Sequence, residues 1–331
     1  MATWREAGPA GCARKLRAAL AMGLPAMVGG RRTARSVGAY FDLITDDGRL
    51  FYGDSFHLGY FPRGGESLGE ALDAQTDLVA DLARLQRGQR VLDVGCGVGA
   101  PALRIARRYG CRVTGVNISR EQVRQGRELI SARGLSGRVD IRRGDARALE
   151  FPAGSFDAVV CLEAAGDICV SEADKDRLVG ELFRVLRPGG YVGFSDLALR
   201  ACPSAAEDRA LRALLYHSGA ELVTDWPALF ARHGFRVVEC RDIMSETLPT
   251  WAHARVVYER RDGEVTRRYG RRLADRILAH LEQIPDILAT HGTYPVLRAQ
   301  KPRARTAELF ACELAAGDRL SSAVVGRPRR F

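Results

Sequence analysis

Lysine is nearly missing from this 331-residue chain. Of its 50 basic residues only Lys15, Lys175 and Lys301 are lysines, a bias of composition and not a choice of phosphate ligands. No apolar run is long enough to cross a bilayer, which argues against stable membrane insertion. The cysteines, Cys12, Cys96, Cys111, Cys161, Cys169, Cys202, Cys240 and Cys312, include no C-x-x-C pair, and no histidines stand at metal-ligand spacing. A disulfide framework and a zinc site are thereby disfavoured, and reduced thiols in a cytoplasmic protein are expected. There is no internal repeat, no Asp-rich diphosphate motif and no Asn/Asp-Pro-Pro-Tyr-type motif after Leu162. The formal net charge of +10 sits in the tails: residues 1–36 and 298–331 carry it, leaving residues 37–297 close to neutral. A nucleic-acid enzyme would place a basic stripe on the folded body, so no nucleic-acid partner is expected.

What is present centres on Arg90-Val91-Leu92-Asp93-Val94-Gly95-Cys96-Gly97-Val98-Gly99-Ala100, followed by Pro101. A strand-type apolar run ends in three alternate glycines, and a helical pattern opens at once with proline in its first turn. Glycines let the backbone approach a ligand closely, and the helix N-terminus offers unpaired N–H groups. Gly95-x-Gly97-x-x-Ala100 alone also satisfies a loose dinucleotide fingerprint. Three neighbours decide. Asp93 would repel a pyrophosphate but attract an ammonium group. The next strand, residues 111–118, ends in Asn117 and not in the acid that a dinucleotide site places on its ribose. Gly144-Asp145-Ala146 follows a further strand, Val139 to Arg143, at the spacing of an adenine-contacting carboxylate. Together they favour S-adenosylmethionine over NAD.

Five motifs in order then carry a resemblance. Val91 to Gly99, Val113 to Ser119, Gly144 to Ala146, Ser155-Phe156-Asp157 and Arg184 to Gly190 resemble the class I S-adenosylmethionine-dependent methyltransferases. His57-Leu58-Gly59-Tyr60-Phe61, Asn117-Ile118-Ser119 with Gln122, and the Tyr294 to Pro302 segment resemble the branch of sterol, tocopherol and prenyl diphosphate C-methyltransferases and natural-product tailoring enzymes.

The resemblance implies an α/β fold, a Rossmann-like seven-stranded sheet with helices on both faces and a helical substrate-capping insertion. It implies a cofactor site of Tyr60, Asp93, Gly95, Cys96, Gly97, Gly99, Asn117, Ile118, Gln122, Asp145, Ala146 and Cys161. Tyr60 would reach the methionine carboxylate from an aromatic lid over 40–66, and Asn117 and Ile118 would meet the ribose and adenine. Gln122 has a competing role as the capping partner of Ser119. Asp145 has one as a solvated turn acid. The domain is expected over residues 37–302, between a basic arm (1–36) and a basic tail (303–331). Its helical cap would come from 200–226 and 244–291, since acceptor specificity comes from additions to the sheet.

The fourth strand, Phe156 to Leu162, ends in Glu163, aimed at the crevice beyond the carboxyl ends of the strands. The prenyl diphosphate enzymes carry a Glu in this region, which implies a general base, with Tyr60 as second catalytic candidate; the alternative is a carboxylate that pairs an Arg or caps the next helix. Substrate-contact candidates are Tyr52, His57, Tyr216, His217, Trp226 and Trp251, each equally a candidate for the core. The expected reaction is C-methylation of an isoprenoid-like alkene through a carbocation, with Mg²⁺ at the head group should the acceptor be a diphosphate; no residue is assigned to a metal. Alternatives are O- or N-methylation of a natural product, or a cofactor-binding cyclase or interaction protein that transfers no methyl. The partner is a small-molecule acceptor, and self-association into a homo-oligomer stays open.

Overall fold

The computed structural model describes residues 33–215 and 223–303. The expected basic arm and tail therefore fall almost wholly outside the described residues, as do Tyr216 and His217. In chain order the elements are α1 (Ala34–Tyr52), α2 (Leu68–Leu82), β1 (Arg90–Val94), α3 (Ala100–Arg108), β2 (Arg112–Asn117), α4 (Arg120–Ala132), β3 (Val139–Arg143) and β4 (Phe156–Leu162). Then come α5 (Ala165–Ile168), α6 (Glu172–Val185), β5 (Leu186–Ser195), β6 (Ala198–Leu199), α7 (Ala205–Leu215), α8 (Trp226–Arg232) and β7 (Arg236–Asp242). The last are α9 (Met244–Thr247), α10 (Pro249–Arg260), α11 (Asp262–Tyr269), α12 (Arg271–His291), β8 (Gly292–Thr293) and β9 (Pro295–Gln300).

Seven strands form one sheet in the order β3-β2-β1-β4-β5-β9-β7, in which only β9 runs against its neighbours. Buried on both faces, the central strands read as continuous apolar runs. β4 shows how the pleat divides them: Val159 and Cys161 join one core with Leu178 and Leu182 of α6 and Phe230 of α8. Ala158, Val160 and Leu162 join another with Val79 of α2, Leu103 of α3 and Val123 of α4. The expected doubly covered seven-stranded sheet is what the chain forms. Strand order reverses between β1 and β4, so the crevice for ligands opens beyond Val94 and Leu162.

The insertion between β7 and β9 builds a third core from Trp251, Ala254, Tyr258, Ile277, Leu281 and Leu288, closed on the sheet by Tyr294 and Val296. Within the insertion, α11 and α12 are parted at Gly270. Of the expected cap, 244–291 lies over the crevice, but α7 packs against α12, and none of residues 200–211 lines either cavity.

The expected aromatic lid is in fact helix α1 followed by a strap, and the helix starts before residue 36. Thr33 and Ser36 cap it reciprocally. Val37, Tyr40, Phe41, Ile44 and Tyr52 recur at helical spacing, a pattern that the density of rings and glycines obscured. β5 begins at Leu186, which already pairs with Phe156, and a register shift carries the ladder past Gly189 and Gly190 to Tyr191.

The sheet and α2 meet at Gly193, where an added Cβ would lie 2.0 Å from the Val79 carbonyl oxygen and 2.8 Å from the Ala83 nitrogen. Backbone cannot yield as a side chain would. Gly193→Ala is expected to destabilise the fold by about 1 to 3 kcal/mol, read as a lower denaturation midpoint; an unchanged midpoint would refute this packing.

Candidate active site

The first of two cavities sits at the carboxyl ends of β1, β2 and β3. Gly95, Gly97, Asn117, Ile118, Gln122, Asp145 and Ala146 line it, under Val37 and Phe41 of α1 and Phe56 of the strap. It holds about 620 Å³ of space, part of it open to solvent. Gly95 has φ +71°, and a Cβ there would be 2.3 Å from that of Ala164, so only glycine permits the turn.

The polar groups around this cleft divide into those already engaged and those left over. Asn117 donates to Gly97 O (3.3 Å) and Gln122 Oε1 (2.8 Å) and accepts from Ser119 N (2.8 Å), so its amide orders the turn. The Gln122 backbone N–H donates to Ser119 Oγ (3.1 Å), but because Asn117 takes the Ser119 N–H, the Gln122 side chain does not close the capping box. Its Nε2 is buried with no hydrogen-bond partner among the described residues, on a residue that lines the cleft. Asp145 also lines the cleft but is not a bare turn acid. Arg147 grips it through Nε (3.0 Å) and Nη2 (2.7 Å), and despite partial burial its carboxyl is held below the usual range.

Several expected contacts lie elsewhere. Cys161 is fully buried in β4 and belongs to the core. Cys96 points down against Gly115, and Gly99 is the left-handed N-cap of α3, where a Cβ would meet Ile141 at 2.5 Å; neither lines the cleft. Asp93 is likewise below the wall, buried under the glycine turn with Oδ2 unpartnered, and burial pushes its carboxyl up to about 7. Tyr60 lines neither cavity; its backbone N–H is tied to Ala71 O (2.9 Å) and its ring faces Arg241.

The second cavity, about 1070 Å³ of space partly open to solvent, lies between α1, the strap, α10 and α12. Tyr40, Phe41, Tyr52, Phe56 and Trp251 supply rings, Ile277 and Leu281 aliphatic surface, and Glu163, Asp167 and Asp196 the acids. Of the expected acceptor contacts, Tyr52, His57 and Trp251 are on this wall, whereas Trp226 packs on Phe194 at 4.8 Å in the sheet core. His57 Nδ1 meets Leu58 O at 2.9 Å, Nε2 is buried and unpartnered, and burial lowers the ring to about 4.

Glu163 and Asp167 line both cavities, as do Phe41 and Phe56. Glu163 is held in a left-handed conformation, φ +47°, unusual for a residue with a side chain. It neither pairs an Arg nor caps α5; Asp196 takes that place, accepting from Gly166 N at 2.6 Å. Glu163 Oε2 instead accepts from Leu58 N (2.7 Å) and the Tyr294 hydroxyl (2.5 Å). Burial raises its carboxyl to about 7, with those two bonds pulling the other way.

Sequence reasoning missed Asp167, Asp196, Phe56 and Tyr294. Asp196 follows β5 as Glu163 follows β4, so the rule that found one could have found the other. Tyr294 precedes the reversed strand β9, whose start lies at the same end of the sheet as the other strands' carboxyl ends.

Residues 91–190 match the family model for a methyltransferase domain. The chain is similar to 27-O-demethylrifamycin SV methyltransferase of Amycolatopsis mediterranei, 30% identical over 69% of this chain and 83% of the relative. It is 38% identical to the sterol 24-C-methyltransferase of Yarrowia lipolytica, over 46% of this chain and 39% of that one. Among solved structures, that of the [4+2]-cyclase SpnF superposes with a TM-score of 0.69 at 30% identity, covering 82% of this chain and 98% of SpnF. The chain is a class I S-adenosylmethionine-dependent methyltransferase.

S-adenosylmethionine fits the cleft of this methyltransferase. The glycine turn leaves room for its backbone approach, and the unpartnered Gln122 amide on the wall is a group that a ribose would satisfy. Among the described residues no group of three or more His, Cys, Asp or Glu is placed to hold a metal ion. No helix among them is long and apolar enough to cross a membrane.

Gln122→Leu is expected to weaken S-adenosylhomocysteine binding about fivefold to tenfold by calorimetry, the worth of one hydrogen bond. Asp93 generates a second expectation. Because folding raises its affinity for a proton, its contribution to stability is full below the ordinary carboxylate range and is lost as pH rises through about 7. Thermal unfolding of the ligand-free protein should show this slope, and Asp93→Asn should flatten it.

Proposed function

We propose that this methyltransferase acts on a hydroxyl of a neutral, largely apolar natural product, with Glu163 as proton acceptor. The observation that carries the reading is that Glu163 stands where the two cavities meet, in a carboxyl poised at about 7. A general base works best with its pKa near the working pH. When bound, S-adenosylmethionine supplies the electrophilic methyl group. Gly95 and Gly97 would let its methionine portion approach, and Gln122, Ile118 and Asp145 would hold the ribose and adenine. The ring-lined second cavity would seat the acceptor, exclude water and bring its oxygen to the line of displacement. Such positioning can contribute about 7 to 11 kcal/mol. Glu163 would take the hydroxyl proton as the oxygen attacks. The 27-O-demethylrifamycin relative supports oxygen as the acceptor atom.

A second reading, C-methylation of an isoprenoid alkene, has the rings of Tyr52, Phe56 and Trp251 in its favour, since ring faces stabilise a carbocation that Glu163 would then deprotonate. A diphosphate head group is a poor match for the wall: among the described residues it carries three acids and no Arg or Lys.

A coupled assay for S-adenosylhomocysteine release separates these readings. Turnover on hydroxylated terpenoids, polyketides or phenols, with no effect of Mg²⁺, is expected. Turnover only on unfunctionalised alkenes or prenyl diphosphates would overturn the oxygen reading, and cofactor binding without release on any acceptor would point to a cyclase-like role. The rate should rise with pH through about 7 as Glu163 ionises, and Glu163→Gln should lower kcat by about 100-fold or more.

A further inference from the structure

We infer that Tyr294, itself held by Gln75, is the positioning residue of Glu163: its hydroxyl occupies Oε2 and thereby leaves Oε1 as the oxygen that receives the acceptor's proton. The inference rests on the reading of Glu163 as base.

Both hydrogen bonds to the Glu163 carboxylate fall on one oxygen, from Leu58 N (2.7 Å) and from the Tyr294 hydroxyl (2.5 Å). No hydrogen bond to Oε1 is made among the described residues. A carboxylate gripped through one oxygen cannot exchange its two oxygens by rotation without breaking both bonds, so the free lone pairs keep one direction. That is a condition for proton transfer, in which geometry comes before pKa.

The donor is itself fixed. The Tyr294 backbone N–H is tied to Asp242 Oδ1 (2.8 Å), and its carbonyl accepts from Ile243 N (3.1 Å). Gln75 of α2 donates through Nε2 to the Tyr294 oxygen and to Ser195 Oγ, both at 3.3 Å. Gln75, Tyr294 and Ser195 are all fully buried. With Gln75 donating to the phenol oxygen, the Tyr294 proton is directed at Glu163. Ser195 O also accepts the backbone N–H of Glu163 at 2.7 Å, so α2, β4, β5 and β9 all converge on this one side chain. An amide donor this deep in the fold is explained by no packing need, since an apolar residue of the same size would satisfy the core without stranding Gln75 Oε1, which has no partner.

A donor to a buried carboxylate favours its ionised form. Tyr294→Phe keeps the ring in its core and removes only that donor. The expected result is an acid limb of kcat moved up by about one pH unit or more, a kcat about tenfold lower at pH 7, and KM for the acceptor changed less than about twofold. Gln75→Leu should move the limb in the same direction by less. Site-specific 3,5-difluorotyrosine at position 294, a stronger donor, should move it the opposite way, which a purely structural role would not do. The two ideas fail separately. Glu163→Gln with full activity overturns the base, and the positioning role with it. An inactive Glu163→Gln beside a folded Tyr294→Phe with wild-type kcat and acid limb overturns the positioning role alone.

Discussion

A single buried carboxylate, Glu163, constrains how the rest of this molecule is assembled. Removing an ionisable group from water disfavours its charged form unless donors are supplied. The donors come from residues 105 positions before it and 131 after it, Leu58 and Tyr294. The strap that precedes the sheet and the strand that ends it are therefore tied to the same group. Successive strap amides are engaged in turn: Leu58 with Glu163, Gly59 with Thr250 of α10, Tyr60 with Ala71 of α2, and Phe61 with Glu246 of α9. Such a segment is not a free loop that happens to cover the site; its backbone hydrogen bonds are the joint between cover, cap and sheet.

Helix α1 shows how the same joint serves the cofactor cleft. Asp42 accepts from Ser119 Oγ and the Glu121 N–H, Asp46 from Gln125 Nε2, and Arg49 donates to Gln125 Oε1. These residues recur at helical spacing along one side of α1 and dock it on α4. Val37 and Phe41 then face the cleft, while Tyr40, Ile44 and Tyr52 face the second cavity. One helix thus contributes a wall to each of the two cavities, whose common boundary includes Glu163, Phe41 and Phe56.

The character of the second cavity follows from which charges it holds. Its acids are not equivalent. Asp196 accepts from Gly166 N and Leu197 N and serves the turn after β5, while burial raises it well above the carboxylate range. Glu163 keeps one oxygen uncommitted among the described residues. Rings and aliphatic side chains make up most of the remaining wall.

The parts of this protein written in its sequence are those whose physics is local. A strand meeting a helix through three glycines, the cap at Ser119, and apolar runs of strand length identified the sheet and the cofactor cleft, because each needs only a few consecutive residues to specify it. The same locality put Glu163 and Asp145 at the ends of their strands. It could not tell which neighbours face the cleft and which face the core, so Cys96, Cys161 and Trp226 read as well for one as for the other. It could not divide the polar work between Gln122 and Asn117, which is decided by a side-chain bond to a backbone N–H at Ser119. The partners of Glu163 were furthest from reach. Gln75, Leu58 and Tyr294 are separated from it by 88 to 131 residues, and only the order of strands, with β9 reversed beside β5, brings them to one carboxylate.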